Sequence, residues 1–65
     1  MIAYVSRDRK WRVECTATAI NVYLTDQQSG GRALAFRCVI LTDLEPWLRK
    51  HAGVGLADLI EQAPA

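Results

Sequence analysis

Histidine occurs once and cysteine twice in this 65-residue chain, and that scarcity bounds its chemistry. A structural zinc site needs about four ligands, whereas Cys15, Cys38 and His51 make three at most. There is no CxxC pair, and Ser29-Gly30-Gly31 lacks the following lysine and helix start that a phosphate-cradling loop requires. No apolar run approaches the roughly 18–20 residues of a membrane span. The first charges, Arg7 and Asp8, come after the apolar stretch from Met1 to Val5, the reverse of a secretory signal. The expected setting is therefore the cytoplasm. Charge of one sign is also missing. A formal net charge of +1 argues against a strongly basic nucleic-acid protein and against a strongly acidic DNA mimic.

What the chain does have is 51% apolar residues against 23% charged, enough for one small core, read here as a single α+β domain over residues 1–65. Ile2 to Ser6 is short, β-branched and aromatic, and reads as a first strand; Arg7 to Lys10 is a polar turn. Trp11, Val13, Cys15, Ala17 and Ala19 then alternate with Arg12, Glu14, Thr16 and Thr18. That is the period of a strand with one face on a core. The phase flips at Ile20, Val22 and Leu24. With no Gly, Pro or Asp near Ala19 to make a tight reversal, the expectation is one long strand, Trp11 to Thr25, bent by a β-bulge near Ala19. Asp26 to Gly31 is a hairpin loop. Arg32 to Leu41 is a third, central strand with Leu34, Phe36, Cys38 and Ile40 on one face.

Helical signals begin at Thr42, where Thr42-Asp43-Leu44-Glu45 fits a capping box and Asp43 is the preferred cap. Leu44, Trp47, Leu48 and His51 share one helical face, and Gly53 is the stop. Leu56, Leu59 and Ile60 repeat the spacing in a second, shorter helix, and residues 62–65 read as a fraying tail. The expected architecture is a three-stranded antiparallel sheet, its second strand bulged, packed on two C-terminal helices. Cys15 and Cys38 are each in phase with apolar neighbours and read as free, buried thiols of a cytoplasmic chain.

A catalytic constellation is not evident. One histidine, expected at a helix C-terminus against the dipole, has no preformed cleft around it, so the chain reads as non-catalytic, without cofactor or metal. Candidate residues are therefore surface ones. Tyr4, Arg7, Arg9, Lys10, Trp11, Arg12, Tyr23 and Arg37 are assigned to the sheet side, with Arg32 on the same sheet. Asp43, Glu45, Asp58 and Glu61 are assigned to the helices. Residues 1–38 hold six cations against three acids, and residues 39–65 two against four, so the sheet is expected to be basic and the helices acidic. Leu48 to Ile60 looks like part of a helix-turn-helix. It departs from that family at Arg49, where a small residue belongs, and in a would-be recognition helix that carries Asp58 and Glu61 and no cation.

In its size, α+β character and lack of an active site, the whole chain resembles the small proteins carried by phages and mobile elements of bacteria, the anti-CRISPR inhibitors among them. The resemblance is one of type and rests on no motif. It implies a protein-binding inhibitor that docks on a bacterial nucleoprotein defence complex and blocks its DNA binding. Separately, strand Ile2–Ser6 at a sheet edge, or the open face, could pair across a two-fold, so the chain is expected as a monomer or homodimer. The competing expectation is a small nucleic-acid-binding module using the Arg7–Arg12 cluster and an open sheet face.

Overall fold

A computed structural model describes residues 2–62. Four strands form an antiparallel meander: β1 (Ile2–Ser6), β2 (Trp11–Cys15), β3 (Ile20–Thr25) and β4 (Arg32–Cys38). A helix follows over Leu41–Trp47 (α1), and Leu48–Ala52 continue it as wider π-helical turns. After a single 3-10 turn, Leu56–Asp58, comes β5 (Leu59–Gln62), which pairs antiparallel with β1. The sheet order is β4-β3-β2-β1-β5. The helix thus carries the chain from one edge of the sheet to the other along one of its faces. The α+β class stands. The expectation of three strands on two helices does not: the described residues form five strands and one helix of 12 residues.

Three local readings account for the difference. The expected long strand Trp11–Thr25 is two strands, because residues 16–19 do reverse the chain. Thr16 supplies the missing turn chemistry. Its N–H donates to the Ala19 carbonyl at 2.8 Å, and its hydroxyl donates to the same oxygen at 3.0 Å. That hydroxyl also accepts the N–H groups of Ala19 at 3.1 Å and Thr18 at 3.3 Å. A threonine side chain imitating a backbone turn does here what Asp or Asn usually does. The phase flip is then simply Cys15 pairing with Ile20 across the hairpin.

The bulge exists, but in β4. Val22 pairs with Phe36 and Tyr23 with Leu34, leaving Ala35 unpaired. The extra residue turns Leu34 away from the face that holds Phe36 and Cys38, and Leu34 is 57% exposed. The segment expected to be the central strand is in fact an edge. Interrupting the ladder of such an edge is a recognised protection against pairing with other chains.

The expected second helix is the 3-10 turn and β5. A segment this short cannot sustain a helix on its own, while the outer edge of β1 offers a row of unpaired N–H and C=O groups. Leu59 still reaches the core, but Ile60 turns to the opposite side and is 52% exposed. β1 is consequently interior rather than an edge open to pairing in a dimer. The tail reading for residues 63–65 lies outside the described residues, and Gln62 is the last residue of β5.

The core is the one the periodicities mark: Val13, Ile20, Val22 and Cys38 from the sheet meet Leu44 and Leu48 from the helix, with Trp11, Phe36, Trp47, Leu56 and Leu59 around them. Ile40, expected among them, is exposed at the β4–α1 junction. The helix begins at Leu41 with Ile40 in the cap position and no side-chain cap bond, so neither Thr42 nor Asp43 caps it. Pro46 lies inside it, removing one donor from the ladder just before the widened turns. Gly53, at φ +69, closes the helix as the left-handed stop read from the sequence. Trp47 stacks on Phe36 (centroids 4.7 Å apart) and on His51 (4.9 Å), and meets Trp11 edge-on at 5.7 Å. His51 therefore ends an aromatic stack in the last helical turn.

Cys15 and Cys38 both face the helix, but β3 lies between them: each pairs with Ile20, from opposite sides. Two strand spacings separate their Cα atoms by about 10 Å, beyond the reach of a disulfide, and both thiols are free. Burial pushes both up from their ordinary pKa.

Two substitutions check this account. Thr16→Val, which keeps the shape and removes the hydroxyl, should cost about 1 kcal/mol in chemical denaturation, while Thr18→Val should change stability by less than about 0.5 kcal/mol. Leu48→Ala should cost about 2–5 kcal/mol. In a chain of this size that lowers the melting temperature by at least about 10 °C.

Candidate functional site

Alternation along each strand sends half the side chains away from the helix, and among the described residues nothing covers them. This uncovered face presents Val5 from β1, Arg12 and Glu14 from β2, Asn21 and Tyr23 from β3, Arg32, Leu34 and Arg37 from β4, and Ile60 from β5. Glu14 organises its centre. One carboxylate oxygen, Oε2, accepts from Arg12 Nε at 2.7 Å and from Arg32 Nη1 at 3.1 Å. Arg32 also lies 5.9 Å above the Tyr23 ring. With the Glu14 side chain 15% exposed and Arg12 26%, these part-buried pairs hold two guanidinium groups beside the Tyr23 ring. Arg37, opposite Asn21, makes no ion pair among the described residues.

The β1–β2 turn borders this face and is tightly built. Asp8 Oδ1 accepts from the Ser6 hydroxyl at 2.6 Å and from the Lys10 N–H at 3.0 Å, and Ser6 Oγ in turn accepts the Trp11 N–H at 3.1 Å. These donors, the Ser6 hydroxyl first, hold the Asp8 carboxyl below its ordinary pKa. The Arg9 N–H donates to the Ser6 carbonyl at 2.9 Å, and Arg9 itself sits at φ +65. A left-handed backbone at a residue with a Cβ costs about 1–2 kcal/mol, and the position is one that glycine or asparagine normally fills in such a turn. Arg7, Arg9 and Lys10 are exposed, and none makes an ion pair among the described residues.

The sheet-side candidates thus divide. Arg12, Tyr23 and Arg37 share the uncovered face, with Arg7, Arg9 and Lys10 at its border. Tyr4 and Trp11 do not join them, because both pack on the helix side against the core. Glu14 is the residue the sequence reading left out, and Arg32, placed there on the same sheet but not among the candidates, joins it at the centre of the face. Only the β4 bulge, which no local signal marks, puts Arg32 and Leu34 beside Tyr23. The acidic candidates are scattered: Glu45 pairs with Arg49 at 3.8 Å, Asp58 Oδ2 accepts the Gly55 N–H at 3.0 Å, Asp43 lies in the first helical turn, and Glu61 is on β5. On the helix side, Tyr4, Val13, Cys15, Leu44, Leu56 and Leu59 are the main lining of an apolar cavity of about 280 Å³.

The described residues contain no cluster of His, Cys, Asp or Glu fit to hold a metal, and no helix among them is long and apolar enough to cross a membrane. Comparison with protein-family models, curated proteins and solved structures gives no match. The site is therefore read from its own geometry.

The turn network carries a pH signature. Asp8→Asn should lower the melting temperature at pH 7. Because the folded carboxyl is held below its ordinary value of 3.8, the stability it contributes is present above that value and is lost as pH falls through the depressed one. The gap between wild type and variant should accordingly close in thermal melts run below that range.

Proposed function

We propose that the chain is a non-catalytic binding domain that holds a single-stranded nucleic acid on its uncovered sheet face. The supporting observation is the charge asymmetry of that face. Arg12, Arg32 and Arg37 lie on it and Arg7 and Arg9 at its border, while Glu14 is the one carboxylate in its centre. Tyr23 sits among the arginines with its ring under Arg32. Cations that track phosphates, beside an aromatic ring on which a base can stack, are what a strand-binding sheet needs. The open antiparallel face gives an extended strand one surface to run along.

Single-stranded oligonucleotides should bind with an affinity that falls as salt rises, with a log–log slope of roughly −2 to −3.5 for roughly three to five phosphates. Removing Arg12 or Arg37 as glutamine should reduce the slope by about 0.7 each. Tyr23→Ala should weaken binding by about 1–3 kcal/mol without changing the slope. No binding at low salt refutes the reading.

One observation favours a second reading. Leu34 and Ile60 are more than half exposed on the same face, and arginine and tyrosine anchors beside apolar side chains are the usual composition of protein-interface centres. The molecule's two longer dimensions, 31 and 28 Å, give a face of about the 800 Å² that one partner contributes to a standard interface. On this reading the chain is a stoichiometric protein-binding inhibitor of the phage-borne type, docking on a nucleoprotein complex. The salt titration separates the two, because an interface with an apolar centre loses far less affinity as salt rises.

A further inference from the structure

The corner of the uncovered face where the β1–β2 turn meets β5 holds a concavity of about 410 Å³, lined by Val5, Ser6, Arg7, Arg9, Ile60 and Gln62. Its two charged residues are both arginines. Asp8, between the two arginines in the turn, accepts through Oδ1 from the Ser6 hydroxyl and the Lys10 N–H, and neither Arg7 nor Arg9 makes an ion pair among the described residues. The Ser6 hydroxyl is likewise spent inside the turn, donating to Asp8 and accepting from Trp11. Gln62 Nε2 donates to the Ile60 carbonyl at 3.2 Å, which leaves its amide oxygen and a second N–H. The free hydrogen-bonding capacity of the concavity is thus mostly cationic donors. Arginine, moreover, occupies the left-handed turn position where glycine would fit without strain, so the side chain is present at a conformational cost that the fold does not require.

The geometry points to this corner as the seat of a terminal phosphate of the bound strand, gripped between the Arg7 and Arg9 guanidinium groups. The inference rests on the strand-binding reading and adds to it the polarity and end chemistry of the ligand. Two arginines match a phosphate monoester, which carries up to two charges and three acceptor oxygens, better than the single charge of an internal diester. The position fits as well. From this corner the strand has the whole face to run along, past Arg12 and Tyr23 towards Arg37 on the far edge strand, about 14 Å across at the usual strand spacing. Beyond the corner there is no further sheet for it to occupy.

The test compares one oligonucleotide sequence bearing a 5′-phosphate, a 3′-phosphate or hydroxyls at both ends, on wild type, Arg9→Gly, Arg7→Gln and Arg37→Gln. One of the phosphorylated strands should bind at least about tenfold tighter than the hydroxyl strand, as expected for added charge-assisted bonds, and which one gives the strand polarity. Arg9→Gly should keep or raise the melting temperature, because glycine suits the turn, and should lose that preference. Arg7→Gln should lose it too. Arg37→Gln should weaken all three strands equally and keep it. The preference should also fade as pH drops through the second phosphate ionisation near 6.

Salt-sensitive binding that ignores the terminal phosphate overturns the seat and leaves the strand-binding reading standing. A preference that survives in Arg9→Gly and Arg7→Gln overturns it as well. If no oligonucleotide binds, NMR titration with inorganic phosphate against chloride of equal ionic strength decides separately. Shifts confined to Arg7, Arg9 and Gln62 support the seat without the platform, and their absence removes both. A phosphoserine peptide that binds as tightly as the phosphorylated strand overturns the nucleic-acid source.

Discussion

A single helix has to cover a five-stranded sheet, and it can lie on only one side. Nearly every other feature of the molecule depends on that constraint. Leu44 and Leu48 fill the middle of the covered side against Val13 and Val22, all four of them almost fully removed from water. Trp47 extends the cover towards Phe36 and Trp11, and Leu56 and Leu59 extend it over the β1 side. A core this small leaves no reserve for the second face. That face stays open to water, carrying Arg12 and Arg32 tethered to Glu14, Arg37 with no ion pair among the described residues, and the exposed Leu34 and Ile60.

The crossover also decides the edges. Because the helix returns the chain to the opposite side of the sheet, β1 gains a partner in β5, and the molecule is left with β4 and β5 as its two open edges. The β4 edge is interrupted at Ala35. The same bulge that disturbs the edge also swings Leu34 and Arg32 onto the uncovered face. Edge protection and surface chemistry thus come from one inserted residue.

Much of the local structure was legible. The strand Ile2–Ser6, the turns at residues 7–10 and 26–31, the Gly53 stop and most of the core follow from period-two and period-3.6 spacing, since burial of apolar side chains imposes those periods whatever the partner is. The Thr16 turn was misread because a hydroxyl standing in for a backbone group leaves a weaker mark than Gly, Asn or Asp. The arginine-rich site was half legible: Arg12, Tyr23 and Arg37 have the right phase in their strands, whereas Tyr4 and Trp11, aromatic and near the cations in sequence, belong to the covered side.

The sequence by itself determined the α+β character, the covered stripes of β2 and β3, and the helical segment with its Gly53 end, because each of these is set by residues within a few positions of one another. Only the tertiary structure decided that Leu59–Gln62 is a strand, that β4 is an edge and carries the bulge, and that Arg12, Arg32 and Glu14 meet on one surface. Those outcomes depend on which backbone groups elsewhere in the chain still lacked a hydrogen-bond partner once the meander had formed, and that demand leaves no periodic trace in the segment that answers it.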